Sequence, residues 1–251
     1  MVNYMDVSGN LVETDLYNHS CFDKNNIIDN VTFNYTDTKE FLFEIPVCPV
    51  SKLYKKEFLN SFDLKFPEGM FFEDNVFFYN VYFQCDKAGF LKKQLYYRRR
   101  HQDSVTQTFD EKKFDIIKAA NGILDVFLFH GEYEIYKNDL INHTFSMILE
   151  WFNKSPLELC SKFYNLIKND FKGFQELQND FRSNLNDDFF MIFDLIVNND
   201  YFLDFLSEYK LTNCDYIIFD NGKEYELNTE SYFKYKTGLS KKYKLSVIIP
   251  I

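Results

Sequence analysis

The spacing of hydrophobic and polar residues changes along the chain and predicts a different element in each part. Apolar residues recur at helical spacing over residues 52–60 and again over residues 73–87, so both segments are predicted to be helices. Aromatic residues cover most faces of the second helix, and we therefore expect it to be buried on most sides. Gly89 should end this helix, and the alternation over residues 90–97 predicts a strand.

Helical spacing also dominates residues 108–209. Thr108 and Glu111 form a capping-box pattern ahead of a long helix, and Gly131 marks its end. The further helices predicted here cover residues 133–152, a segment opened by Ser155 and Pro156, residues 171–182 and residues 188–209. The remaining forty residues differ, with short strands predicted over residues 216–219 and 245–251.

Composition and charge narrow the class of protein. The 251 residues include 30 Phe and 18 Tyr, which predicts a sizeable and unusually aromatic core. A formal net charge of −10 argues against nonspecific nucleic-acid binding, because such binding depends on Lys and Arg contacts to phosphates. The five cysteines are widely spaced and suit reduced thiols. With no visible signal peptide or transmembrane segment, we expect a cytoplasmic protein, at most peripheral to a membrane.

Four short motifs follow one another between Lys52 and Thr106. They are Lys52-Leu53-Tyr54 with Glu57-Phe58-Leu59, then Phe66-Pro67-Glu68-Gly69, then Glu73-Asp74, and finally Leu95-Tyr96-Tyr97 with Arg99 and Ser104-Val105-Thr106. In order and spacing they resemble the acceptor-side half of family 2 glycosyltransferases, which have a GT-A fold. The resemblance implies an inverting transfer of a sugar from a nucleotide-sugar donor to a hydroxyl of a saccharide or polyol acceptor. Such an enzyme would serve cell-surface polysaccharide synthesis.

The acidic pair is the centre of this interpretation. An inverting transfer needs one carboxylate to take the proton of the attacking hydroxyl. By resemblance, Asp74 is that general base, and Glu73 orients it or contacts the acceptor. The pair also fits plain capping, because carboxylates at the start of a helix are stabilised by its dipole. The local sequence leaves both interpretations open.

The positive run Arg98-Arg99-Arg100-His101 is a candidate site for binding the diphosphate of the sugar donor. By resemblance, the loop that contacts the donor diphosphate includes Arg98, Arg99, His101 and Ser104. Arg offers a bidentate pair of donors to phosphate, and Ser adds a hydroxyl. The alternative is a solvated strand end paired with acidic side chains, with His101 an ordinary polar surface residue.

The chain also departs from the family. The Asp-x-Asp motif that holds a divalent metal, Mg or Mn, in a complete enzyme is not in the sequence. The nucleotide-binding half that should precede the motifs is missing too. We therefore expect a chain that begins within one catalytic domain. Residues 244–251 resemble the opening strand of a second such domain, although an ordinary terminal strand fits them as well.

These observations together predict an α/β fold. Residues 1–107 should form a partial GT-A remnant with a Rossmann-like mixed sheet, residues 108–210 a helical domain, and residues 211–251 a strand-containing linker. We expect the unpaired sheet edge to be covered by segments of the chain itself, such as the C-terminal strand, or by a second copy of the chain. A homo-oligomer or a complex with a partner chain is the corresponding expectation for assembly. The alternative function is a non-catalytic helical assembly module that carries a truncated transferase half.

Overall fold

The chain divides into two compact units in the computed structural model. Unit 1 comprises Met1–Thr108 and Lys118–His143, and unit 2 comprises Phe109–Ile117 and Thr144–Ile251. The residues that the structure describes are 2–5, 11–12, 20–25, 27, 31–91, 93, 96–99, 109–173, 181–209, 216–220 and 223–227.

Helices make up most of the described residues. They are α1 (Ser20–Lys24), α2 (Lys56–Ser61), α3 (Glu73–Gln84), α4 (Ile116–Phe129), α5 (Tyr133–Asn153), α6 (Leu157–Gly173), α7 (Asp187–Asn198) and α8 (Phe202–Glu208). The 3-10 helices span Tyr35–Asp37, Lys39–Glu44, Pro49–Ser51 and Glu111–Asp115. Among these helices and the described residues around them, none has the length and apolarity needed to cross a bilayer.

The strands are short. They are β1 (Val2–Met5), β2 (Leu11–Val12), β3 (Thr32–Phe33), β4 (Ala88–Gly89), β5 (Tyr96–Arg99), β6 (Tyr216–Asp220) and β7 (Lys223–Leu227). β1 pairs antiparallel with β2 and parallel with β5. The other pairs, β3 with β4 and β6 with β7, are antiparallel.

The prediction of an α/β fold with a partial GT-A sheet is wrong for the part of the chain that the structure describes. That part is mostly helical, and no Rossmann-like mixed sheet is seen in it. Its largest sheet, β2–β1–β5, has strands of only two to four residues. The mixed sheet was expected from the resemblance, whereas the described chain buries its aromatic residues largely on helices such as α3, so their burial does not need a large sheet.

Helix α3 is the centre of unit 1 and is buried on most sides, as its sequence predicts. Seven of its 12 residues are buried. The rings of Tyr79 and Phe83 contact Phe127 of α4 at centroid distances of 5.4 and 4.9 Å. At Gly122, α4 approaches so closely that an added Cβ would lie 2.8 Å from Val76 Cγ2. The aromatic core of unit 1 is therefore built largely around this helix, and unit 2 buries further aromatic residues of its own.

The predicted end of α4 at Gly131 is confirmed, and its geometry explains the residue. Gly131 has φ of 73° and donates its backbone N–H to Leu128 O, while Glu132 donates to Phe127 O at 2.9 Å. This is the Schellman arrangement, which needs a left-handed residue and therefore favours glycine. The helix predicted over residues 133–152 is likewise confirmed as α5.

In unit 2, the single helix predicted over residues 188–209 is instead two helices, α7 and α8. Two side chains of α6 form hydrogen bonds to the residues between α7 and α8. Tyr164 Oη donates to Ile196 O at 3.1 Å and to Asn199 O at 2.6 Å. Lys168 Nζ donates to Asn199 O and to Asp200 Oδ1. These bonds satisfy the carbonyls that a continuous helix would have used, so the chain can turn there.

Some predicted features lie outside the described residues. They are the turn at residues 7–10, the cap at Thr108, most of the helix over residues 171–182 and the apolar run at residues 244–251. The predicted domain boundaries stay predictions.

Candidate functional site

The first motif lies in an extended stretch ahead of α2. Lys52 and Tyr54 are partly buried, whereas Leu53 between them is fully exposed. The sequence had suggested a helix from Lys52 with Leu53 available to the core, but α2 begins only at Lys56. Alternate residues of extended chain point to opposite sides, so Lys52 and Tyr54 share the inward side.

Helix α3 begins at the acidic pair in an unusual way. Phe72, immediately before it, has φ of 65° and ψ of 23°, which is the left-handed region. A bulky side chain is strained there, and such strain is common beside functional groups. Phe72 makes no side-chain capping bond, and Asn75 Nδ2 donates to its carbonyl at 3.2 Å. The backbone is thus turned sharply just where Glu73 and Asp74 follow.

Asp74 is held in a partly buried position in the first turn of α3. Its Oδ1 accepts a hydrogen bond from Asn75 Nδ2 at 3.1 Å. Burial raises the pKa of Asp74, and the neighbouring Glu73 carboxylate raises it further. Backbone N–H groups of the helix start and the Lys52 ammonium lower this pKa but do not outweigh burial. The carboxylate is therefore easier to protonate than an ordinary aspartate.

Lys52 lies beside Asp74 in a small niche of main-chain oxygens. Its Nζ donates to Pro46 O and, at 3.0 Å, to Cys48 O. The same nitrogen lies 5.0 Å from the ring centroid of Phe78. Burial lowers the pKa of Lys52 to about 8, although Asp74 acts in the opposite direction. Lys52 is therefore still mostly a cation at neutral pH, but it loses its proton at a lower pH than an exposed lysine does.

Tyr54 is the third group on this side of α3. Its ring packs edge-on against Phe77, with centroids 5.4 Å apart. Its Oη is buried, and no hydrogen-bond partner for it is found among the groups described. Burial raises the pKa of Tyr54, and the negative charge of Asp74 contributes.

Helix geometry explains why these three groups meet. Residues three and four positions apart lie on one helix face, so Asp74 shares a face with Phe77 and Phe78. Tyr54 packs on Phe77 and Lys52 on Phe78, one turn along from the carboxylate. The two side chains therefore face the side of α3 that carries Asp74. We call Lys52, Tyr54 and Asp74 the α3 triad.

Glu73 lines an open cleft of about 880 Å³ beside the Phe66–Pro67–Glu68 turn. The other lining residues are Leu59, Leu64, Lys65, Met70, Phe71 and Phe77. Phe66 stacks on Phe77 and is itself 41% exposed. The cleft is therefore largely aromatic and apolar, and its charged lining residues are Lys65, Glu68 and Glu73.

No protein-family model, curated protein or solved structure matches the chain. The resemblance to family 2 glycosyltransferases therefore stays a prediction that rests on the four motifs.

The positive residues expected on the donor side are described only in part. Arg98 and Arg99 lie in β5, where they stand opposite Tyr4 and Met5 of β1. His101 and Ser104 lie outside the described residues. Within the described ranges, no group of three or more His, Cys, Asp or Glu side chains could hold a metal ion. The divalent metal expected in a complete enzyme is therefore assigned to no residue in the described part of the chain.

Sequence reasoning named the acidic pair but gave Lys52 and Tyr54 no role. Both belong to the first motif, where Leu53 separates them. This alternation was the sequence feature that could have indicated an extended segment with Lys52 and Tyr54 on one side. It was missed because residues 52–60 have helical spacing. A helix would have sent these two side chains in directions about 200° apart.

Proposed function

We propose that unit 1 carries the acceptor side of an inverting glycosyl transfer, with Asp74 as its general base. The observation that carries this proposal is the partly buried position of the Asp74 carboxylate in the first turn of α3, where burial raises its pKa although a helix start ordinarily stabilises an anion. A base with a pKa nearer the working pH holds and releases a proton more effectively. The strained backbone at Phe72 and the four motifs support the same assignment.

The proposed reaction uses the two acidic residues differently. The acceptor hydroxyl gives its proton to Asp74 while its oxygen attacks the anomeric carbon of the donor sugar. The bond from that carbon to the diphosphate breaks, and its electron pair leaves with the nucleoside diphosphate. Glu73, at the cleft, accepts a hydrogen bond from another hydroxyl of a saccharide or polyol acceptor. Arg98, Arg99, His101 and Ser104 are proposed to contact the diphosphate, on the strength of the resemblance alone.

The test compares two substitutions of adjacent residues in the full chain. Release of nucleoside diphosphate is measured with a panel of UDP-, GDP- and TDP-sugars, neutral oligosaccharide and polyol acceptors, and Mg²⁺ or Mn²⁺. We expect Asp74→Asn to lower turnover by at least about a hundredfold, because general-base catalysis contributes roughly that much or more. Glu73→Gln should chiefly raise the KM for the acceptor. Circular dichroism checks that both variants keep their helices.

Retained turnover in Asp74→Asn would remove Asp74 from the base role. If the chain neither binds nor hydrolyses any donor of the panel, the non-catalytic assembly module becomes the better proposal.

One observation favours that second function. Leu128, Phe129 and Ile135 flank the turn between α4 and α5, and Phe129 and Ile135 are 80% and 71% exposed. Exposed apolar residues grouped in this way often mark contact surfaces. Sedimentation of the wild type and of Phe129→Ser over a range of concentrations distinguishes a contact surface from a solvated turn. Identical monomeric behaviour of both would argue against assembly through this turn.

A further inference from the structure

The cleft beside the Phe66–Pro67–Glu68 turn is formed by one continuous stretch of unit 1. Its lining begins at Leu59 in α2, follows the connecting segment and ends at Glu73 and Phe77 of α3. Its volume of about 880 Å³ lies in the usual range of small-molecule sites. The cleft therefore has room for a small ligand, and the chemistry of its lining restricts which kind.

Phe66 presents one face of its ring to the cleft. Its other face stacks on Phe77, with centroids 3.8 Å apart and an angle of 18° between the ring planes. Phe77 is itself buried against Leu64 and Val81, so it holds the Phe66 ring in place. Because Phe66 is nevertheless 41% exposed, its exposed area belongs to the uncovered face and the ring edge. The face of an aromatic ring carries partial negative charge and attracts cations.

The charges of the lining also favour a cation. Lys65 is the cation of the lining, and its Nζ lies 2.5 Å from Oδ1 of Asp63, which is not a lining residue. Glu68 and Glu73 are the two lining carboxylates, and neither belongs to an ion pair among the described residues. The cleft therefore combines an exposed ring face with uncompensated negative charge.

These properties distinguish between classes of sugar. A phosphorylated or acidic sugar would be repelled by the two carboxylates. A neutral sugar would displace water from them and leave their charge uncompensated. A protonated amine supplies both hydrogen-bond donors and the opposite charge.

We propose that this cleft binds an amino sugar, with its ammonium group against the uncovered face of Phe66 and neutralised by Glu68 and Glu73. The ring carbons of the sugar would contact the apolar side chains of the lining. The inference deepens the proposed function, on which it rests for the statement that the bound amino sugar is the acceptor. Binding itself needs no donor and is measured without turnover.

The experiment uses Met70, which lines the cleft, as a reporter in the full chain. The chain contains five methionines, so methyl-¹³C labelling gives few NMR signals, and Met70→Leu assigns the one needed. The ligands are the disaccharide of glucosamine and its N-acetylated counterpart, at about pH 6, where an amine is protonated. We expect the amine to shift the Met70 signal to saturation and the neutral disaccharide to bind at least about fivefold more weakly.

Three variants separate this site from a general attraction of cations to an acidic protein. Phe66→Leu keeps an apolar side chain but removes the ring face, and Glu68→Gln removes one carboxylate of the lining. Each should weaken binding of the amino disaccharide by roughly two- to fivefold. The matched control is Glu57→Gln, which removes the same charge from an exposed position of α2 outside the lining and should leave binding unchanged.

The outcomes distinguish this inference from the proposed function. Absence of a Met70 shift, equal binding of the two disaccharides, or an equal loss in Glu57→Gln and Glu68→Gln overturns the inference. If the amino disaccharide binds as expected but receives no sugar from any donor of the panel, the binding site stands and the proposed function fails. Transfer that depends on Asp74, to neutral acceptors alone and without a Met70 shift, would show the reverse.

Discussion

His143 links the stability of unit 1 to pH. Its Nε2 lies 3.0 Å from the hydroxyl of the fully buried Tyr79, and its ring centroid lies 4.8 Å from that of Phe43. Burial in this aromatic surrounding lowers the pKa of His143 to about 4. The folded chain therefore keeps this imidazole neutral at a pH where an exposed histidine would already be charged.

The sign and size of the effect follow from proton linkage. In the unfolded chain His143 should titrate near 6.5, so between about pH 6.5 and pH 4 the unfolded state binds more protons than the folded state. Stability is fully present above pH 6.5 and is lost as pH falls through this window. A separation of about 2.5 pH units corresponds to a loss of roughly 3 kcal/mol, a large share of the stability of an ordinary domain.

The assay is urea unfolding followed by circular dichroism at several pH values between 7 and 4. The control is His143→Gln, whose amide keeps a polar partner for Tyr79 but does not titrate. Other groups that titrate in the same range are present in both chains, so their contributions cancel in the difference between the two pH profiles. We expect the wild type to lose roughly 3 kcal/mol more than His143→Gln over this range. Parallel profiles would refute the reasoning, since they would mean that folding does not suppress protonation of His143.

Two further predictions concern packing. Lys168→Met should lower the free energy of unfolding, measured by urea titration, by about 2–3 kcal/mol, because the buried ammonium donates to Asn199 O and pairs with Asp200. Lys162 is exposed, so the control Lys162→Met should lower it by at most about 1 kcal/mol. Equal losses in the two variants would contradict this prediction. Gly122→Ala should destabilise by about 1–2 kcal/mol despite the better helix propensity of alanine, because its Cβ would lie 2.8 Å from Val76 Cγ2. Adding Val76→Ala should recover part of that loss in thermal unfolding, and no recovery would place the strain elsewhere.

The local pattern predicted the long helices well, because the spacing of their apolar residues directly reflects the face that each helix buries. Helices α3 and α5 and the glycine end of α4 belong to this group. The break between α7 and α8 could not be predicted in this way. Asn199 and Asp200 are turn-forming residue types, but the helical spacing on both sides favoured a continuous helix. The chain turns there while Tyr164 and Lys168, more than 30 residues earlier, donate hydrogen bonds to the freed carbonyls. Such long-range satisfaction is invisible to a window of neighbouring residues.

The fold class failed for a related reason. The mixed sheet was expected from the resemblance to a sheet-containing family, whereas the local pattern had predicted the aromatic segment of α3 to be a helix. In the structure, the aromatic residues of α3 are buried on a helix whose faces are nearly all covered, so their burial did not require a sheet. The candidate site was named from short motifs rather than from topology, and its assignment stays a prediction. Its acidic pair could be named from the sequence, whereas the approach of Tyr54 and Lys52 depends on an extended segment that local spacing had assigned to a helix.

The structure also bears on the interpretation of the acidic pair as plain capping. Consecutive helical residues point about 100° apart, so Glu73 can face the cleft while Asp74 faces Lys52 and Tyr54. A carboxylate that only caps a helix is stabilised as an anion, and its pKa should fall. The pKa of Asp74 is instead raised, because burial and the charge of Glu73 outweigh the backbone N–H groups and Lys52. Burial at Asp74 therefore opposes the stabilisation that a capping carboxylate receives from the helix start, and it makes this carboxylate easier to protonate, as the proposed role of Asp74 as a general base requires.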